Sequence, residues 1–172
     1  MLPRTLREAA YFLFGLWAAF ALLVPLVAPS HARAAEPYLE RVEREIFEAV
    51  NRFRSERKLI ALTRRADLDA VARAHSEDMV ARRFFAHENP EGQIWVDRLR
   101  IAGVEGFSLA GENVGLTSRR EPVREIVGSW ERSPVHLENL KARPFNATGV
   151  GIARAADGTL YVTQLYLTFP KD

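Results

Sequence analysis

Apolar residues recur every three or four positions in the first half of the chain, with charged residues between them. The first stripe follows Pro37, a residue that suits the first position of a helix, and it predicts an amphipathic helix to about Lys58. A second stripe predicts a helix from about Arg65 to Arg83, with Thr63 as its N-cap. Because His75 lies on the apolar side of this second helix, we expect it to be buried.

The second half of the chain carries shorter patterns. Residues 94–102 predict a short helix that stops at Gly103, and residues 104–117 predict a loop and a short strand with Glu112 at its exit. Pro122 opens a fourth helix that ends at Ser133-Pro134, and residues 136–140 predict one further turn. Residues 149–155 and 159–169 then predict a hairpin around the Asp157-Gly158 turn.

This order of elements indicates the fold class. Four helices with short strands gathered late in the chain predict an α+β domain, layered as an α/β/α sandwich. The strands lie too close together in sequence for repeated parallel crossovers, so we expect a small, mainly antiparallel sheet. The chain has 172 residues, 48% of them hydrophobic, which suffices for one domain with its own core. It has no cysteine, which excludes disulfides, thiolate chemistry and cysteine-based metal sites.

Residues 1–34 have the pattern of an export signal. Arg4 and Arg7 precede an apolar, uncharged run over residues 11–28, and Ala32-Arg33-Ala34 has the small residues that an export peptidase reads. We therefore predict cleavage after Ala34, a domain over residues 35–172, and a location that is secreted, periplasmic or in the cell envelope. The alternative is a retained membrane anchor, since the run is at the lower length limit for spanning a bilayer. Only then would the chain contact the membrane.

Charge gives no indication of a nucleic-acid partner. The whole chain has a net charge of +2, but removing residues 1–34 takes away three arginines and one glutamate, which leaves a charge of about zero. The remaining sequence has no basic stripe with interleaved aromatic residues. We therefore predict that the domain does not bind nucleic acid.

Three polar residues outside the apolar stripes are candidates for chemistry. His87 and His136 each follow a predicted helix end, in segments rich in proline, asparagine or serine, where binding residues commonly lie. Glu112 lies between Gly111 and Gly115, which allow a close approach of the backbone or an unusual conformation. We predict that the fold brings His87, Glu112 and His136 into one pocket. His75 is interpreted as a core histidine that orients a pocket group at most.

Several segments, in order, resemble motifs of the CAP superfamily (cysteine-rich secretory proteins, antigen 5 and pathogenesis-related proteins). The Gly111-Glu112-Asn113 segment resembles the family's G-E-N core, and residues 130–136 resemble the bacterial form of its W-x-x-S-P-x-H element. The other resembling segments are residues 51–54, 74–79, 84–87, 149–151 and 161–164. The resemblance covers residues 38–169 and implies an α/β/α sandwich of the bacterial, SCP-like extracellular branch.

The resemblance also implies a cavity with two histidines and two acidic residues. Position by position, the histidines fall on His87 and His136, and the first acid falls on Glu112. The second acid is missing, because this chain has Ser133 at that position and Glu131 lies two residues away. Some family members bind zinc between the two histidines, so the resemblance permits zinc or another divalent metal held by His87 and His136.

Two imidazoles and a carboxylate have three physical uses. They can hold a divalent metal, with Glu112 as a ligand, as an orienting group or as a base. They can perform metal-free acid–base catalysis, or they can form a structural polar network while the surface binds a partner. We predict a binding domain for an extracellular or cell-envelope lipid, glycan or protein. The alternative is a hydrolase of peptide or cell-wall substrates, in which His87, Glu112 and His136 would be the catalytic residues.

Overall fold

The computed structural model describes residues 30–170, with side chains from residue 37 onward. Within this range the chain forms five helices and a four-stranded sheet. The helices are α1 (Ser30–Glu56), α2 (Ala66–Arg82), α3 (Trp95–Ile101), α4 (Pro122–Arg132) and α5 (Pro134–Lys141). The strands are β1 (Thr63–Arg64), β2 (Leu109–Thr117), β3 (Ala147–Arg154) and β4 (Leu160–Thr168).

The sheet has the order β1-β3-β4-β2 and is mainly antiparallel, as predicted. Strands β3 and β4 form the expected hairpin, β2 pairs antiparallel with β4, and only the short β1 pairs parallel with β3. One core cluster joins residues of α1, α4 and α5 to one face of the sheet, and a second joins α2 and α3 to the other face. The predicted three-layer α/β/α sandwich is thus confirmed.

Three details of the predicted elements are wrong. Helix α1 begins at Ser30, so Pro37 lies inside the helix; the alanine-rich residues 32–35 favour helix despite the hydrogen bond that proline cannot donate. Thr63 is not an N-cap but part of β1, where its N–H donates to the carbonyl of Asn146. Glu112 lies in the middle of the nine-residue strand β2 rather than at a strand exit.

The predictions for the export signal or anchor concern mainly residues 1–29, which lie outside the described residues. From residue 30 to residue 170, none of the helices combines the length and the apolar character that a membrane span requires.

Candidate functional site

Glu112 is the central group of the candidate site. Its side chain extends from β2 toward the layer of α2 and α3 and is completely buried. One carboxylate oxygen, Oε1, lies 2.8 Å from Nδ1 of His87, whose side chain is about one-third exposed. A buried carboxylate thus contacts one ring nitrogen of a histidine that reaches the surface. When His87 is neutral, this contact favours the tautomer with the proton on Nδ1 and a free electron pair on Nε2.

Arg98 of helix α3 completes the surroundings of Glu112. Its Nη2 donates a hydrogen bond of 2.5 Å to Oε2 of Glu112, and its Nη1 donates to the carbonyls of His87 and Gln93, each at 2.9 Å. Arg98 was not predicted from the sequence, because its spacing does not distinguish it from the exposed Arg100 on the same short helix. Both oxygens of Glu112 therefore have positively charged or N–H partners.

The loop between α2 and α3 places His87 over the sheet. Asn89 is buried and fixes this loop, since its backbone N–H, its side-chain amide and its side-chain carbonyl all bond to Gln93. The rings of Trp95 and His87 pack in an edge-to-face arrangement with centroids 5.8 Å apart. The position of the imidazole is thus determined by packing and hydrogen bonds on several sides.

His75 supports the same loop from below. It is buried on α2, as predicted, and its Nε2 lies 3.0 Å from the carbonyl of Ala86, the residue before His87. Burial lowers the pKa of His75, so its imidazole is neutral at neutral pH. A neutral ring that donates from Nε2 can hold the Ala86 carbonyl, which agrees with the interpretation of His75 as a core histidine.

His136 lies opposite His87, in the first turn of α5. Helix α5 begins at Pro134, directly after the end of α4, and this sharp break brings His136 back toward β2. The rings of His87 and His136 have centroids 6.1 Å apart. Burial lowers the pKa of His136, and the nearby His87 lowers it further. His136 is therefore a neutral, half-buried imidazole that faces a second imidazole.

Asparagine side chains fasten α5 to β2. Asn113 donates through Nδ2 to the carbonyl of His136 at 3.1 Å, and Asn139 donates to the carbonyl of Glu112 at 3.0 Å. Asn113 thus joins strand β2 to helix α5. A Cβ at Gly111 would lie 2.6 Å from Oδ1 of Asn139, so the glycine permits the close approach of α5.

The missing second acid is not replaced by a neighbour. Ser133 is the half-buried residue that links α4 to α5, and Glu131 points to solvent from α4. Over residues 37–170, no three histidine, aspartate or glutamate side chains are arranged to hold a metal ion. The three predicted site residues lie together, and Arg98 is a further charged group that contacts two of them, His87 and Glu112.

The histidine pair is compatible with a metal of few protein ligands. Two imidazoles bound to one tetrahedral zinc, with Zn–N bonds of about 2.1 Å, have ring centres about 5 to 5.5 Å apart, so these rings, at 6.1 Å, would have to approach by about 0.5 to 1 Å. Glu112 holds Nδ1 of His87, which is the usual arrangement of a carboxylate behind a metal-binding histidine. The residues therefore suit two imidazole ligands with other coordination positions left to water or a bound molecule.

Comparison with known proteins identifies the family of this chain and several similar proteins. The model of the CAP family, described as the cysteine-rich secretory protein family, matches residues 47–166. The uncharacterized protein YkwD of Bacillus subtilis (strain 168) is 29% identical over 122 residues, which are 71% of this chain and 46% of that protein. The chain thus spans less than half the length of this curated relative.

Solved structures show the same fold. The crystal structure of an extracellular protein containing an SCP domain from Bacillus anthracis strain Ames is 30% identical, with a TM-score of 0.65 over 75% of this chain and 41% of that chain. An outer surface protein from Borrelia burgdorferi is 18% identical, with a TM-score of 0.69 over 76% of this chain and 94% of that chain. The second likeness concerns the fold alone.

Proposed function

Since the chain belongs to the CAP (cysteine-rich secretory protein) family, we propose that it is a domain of the bacterial SCP type that binds a lipid, glycan or protein of the cell envelope, with His87 and His136 holding a divalent metal such as zinc. The observation that carries the proposal is the pair of facing imidazoles, 6.1 Å apart between ring centres. The metal, when bound, would supply a Lewis-acidic point of attachment for oxygen atoms of the ligand.

The states of the protein groups support this assignment. Burial and the neighbouring His87 keep the pKa of His136 below its usual value, and an imidazole must be neutral to bind a metal. Glu112 takes no part as a ligand, because Arg98 and His87 occupy its two oxygens. Its role is to orient His87, and replacing such a group typically lowers metal affinity by about 10- to 100-fold.

The location outside the cytoplasm is part of the proposal. It is supported by the export pattern of residues 1–34 and by the similar protein from Bacillus anthracis that is described as extracellular. A mass measurement on the protein recovered from the outside of cells tests it. A product that begins after Ala34 would support cleavage, and an intact N-terminus would support the anchor.

Zinc titration by calorimetry tests the site. We expect His87→Ala and His136→Ala each to abolish binding while the far-ultraviolet circular dichroism stays unchanged. Glu112→Gln should weaken binding by about 10- to 100-fold. Glu131→Gln is the matched control, because it removes an exposed carboxylate from the neighbouring helix α4 and should leave the affinity unchanged. Unchanged zinc affinity in both histidine variants would contradict the proposal.

A metal-free hydrolase is the second candidate, and one observation favours it. The 2.8 Å contact between Nδ1 of His87 and Oε1 of Glu112 is the contact by which a carboxylate prepares a histidine to accept a proton at Nε2. Turnover of peptides and peptidoglycan fragments tests this alternative, with Glu112→Gln expected to abolish it. A parent protein that turns over none of a broad panel would contradict the hydrolase.

A further inference from the structure

We infer that Arg98 is a positioning residue, which fixes Glu112 and the 87–93 loop so that His87 presents Nε2 to the opposite imidazole. The effect of Arg98 on zinc binding rests on the function proposed above, but its effect on the tautomer of His87 does not. The hydrogen bonds of Arg98 go to Glu112 and to two backbone carbonyls of this loop, so it acts on His87 through these groups.

The geometry of one guanidinium carries this inference. Two of its nitrogens bond to three acceptors: Nη2 holds Oε2 of Glu112, and Nη1 holds the carbonyls of His87 and Gln93. The side chain of Arg98 is only 11% exposed and that of Glu112 is 0% exposed, so these bonds form largely out of water. Such charge-assisted bonds are short and directional, so they fix the orientation of the groups as well as stabilising them.

Occupation of Oε2 determines what Oε1 can do. With Oε2 on Arg98, the carboxylate plane is set and Oε1 faces Nδ1 of His87. The same arginine also holds the backbone carbonyl of His87. Arg98 therefore fixes both Glu112 and the residue whose ring Glu112 contacts. Without Arg98, the carboxylate can rotate and the loop loses two bonds, and both changes loosen the choice of tautomer.

Long-range nitrogen–proton correlation spectra of the histidine rings test the positioning role in the full chain, without metal. We expect the parent protein to show His87 mainly as the Nδ1–H tautomer, and Arg98→Met to show a mixture of the two tautomers. Arg100→Met removes the same charge from an exposed position on the same helix, and it should match the parent. An Arg98→Met spectrum with the parent's tautomer ratio would overturn the inference.

A second pair of variants separates positioning from a general loss of structure. In a Glu112→Gln background, Arg98→Met should change the tautomer ratio less than it does in the parent, because the carboxylate is gone and only the two bonds to the loop carbonyls remain to be lost. Arg98→Lys keeps one cation for Oε2 but cannot hold both carbonyls, so it should retain most of the Nδ1–H tautomer while amide hydrogen exchange at residues 87–93 becomes faster. If Arg98→Met does not fold, unchanged exchange in Arg98→Lys would still overturn the inference.

Zinc binding by the same variants connects Arg98 to function. We expect Arg98→Met to bind zinc about tenfold more weakly than the parent, since loss of an outer-shell partner commonly costs at least that much. A parent that binds no zinc would contradict the proposed function, while the metal-free spectra would still decide the role of Arg98. Equal zinc affinity in Arg98→Met and in the parent would refute only the effect of Arg98 on zinc binding.

Discussion

Replacing Gly151 by alanine should displace helix α2 and thereby disturb the site, although Gly151 contacts none of the site residues named above. Gly151 lies in β3 beneath α2, and a Cβ placed there would lie 1.9 Å from the backbone nitrogen and 2.3 Å from Cα of Arg73. These are backbone atoms, so no side-chain rotation can relieve the clash and the helix must move, by about 1 Å or more to restore an ordinary contact distance. The nearest matched control is Gly128→Ala in α4, where the closest atom, at 3.2 Å, is the flexible end of Arg132.

The expected magnitude follows from these contacts. Overpacking a core costs about 1 to 3 kcal/mol, and a clash with backbone belongs at the upper end. Alanine also restricts the unfolded chain, which offsets about 0.4 to 1 kcal/mol. We therefore expect Gly151→Ala to lose about 2 kcal/mol, or roughly 4 to 8 °C in Tm for a chain of this size. Gly128→Ala should instead gain up to about 1 kcal/mol from helix propensity.

Urea unfolding followed by circular dichroism measures both variants. Because His75 on α2 holds the carbonyl before His87, the shift of the helix should also weaken zinc binding by Gly151→Ala. Stability of Gly151→Ala equal to that of Gly128→Ala would show that α2 does not pack backbone to backbone on β3. Lower stability with unchanged zinc affinity would show that the loop does not follow the helix.

Two further predictions concern the buried charges and imidazoles. Glu112→Gln should lower the free energy of unfolding by about 3 kcal/mol, because it leaves the charge of Arg98 buried against a neutral group. The exposed control Glu131→Gln should change this free energy by no more than about 0.5 kcal/mol. Equal stability of the two variants in urea unfolding would refute the buried ion pair. Burial lowers the pKa of His75, so below the ordinary histidine pKa of 6.5 the unfolded chain binds a proton that the folded chain resists, and stability should fall as the pH drops below that value. The urea midpoint should decrease between about pH 7.5 and about pH 5.5, and decrease less in His75→Gln; a midpoint that rises on acidification would refute this reasoning.

Helices and the terminal hairpin could be predicted well because their patterns are local. The predicted second helix, from about Arg65 to Arg83, agrees with α2 to within a residue at each end, and the hairpin has the predicted turn. Strand β1 could not be predicted, because its two residues form a strand only through pairing with Ala147 and Thr148. A pairing that short leaves no alternation in the sequence for a pattern to show.

Only part of the environment of Glu112 could be predicted from the sequence. The glycines around it indicated close approach, and α5 does approach at Gly111. They also allowed an unusual backbone conformation, yet this segment is a regular strand because β4 pairs with all nine residues of β2. Arg98 could not be predicted, since its role depends on a contact between α3 and a strand residue 14 positions away. Sequence-distant charge pairs of this kind leave no periodic signal.

If a divalent cation binds between the two imidazoles, the charges around it favour one class of ligand chemistry. Arg98 and Glu112 form a buried pair that cancels in charge, and His136 is neutral at neutral pH. The position where the resemblance implied a second acid holds Ser133, and Glu131 faces solvent. A divalent cation between the two imidazoles would therefore keep nearly all of its positive charge. Anionic oxygen groups, such as the carboxylates and phosphates of envelope polymers, gain more from such a centre than neutral hydroxyls do, because Coulomb attraction is strong where water is partly excluded.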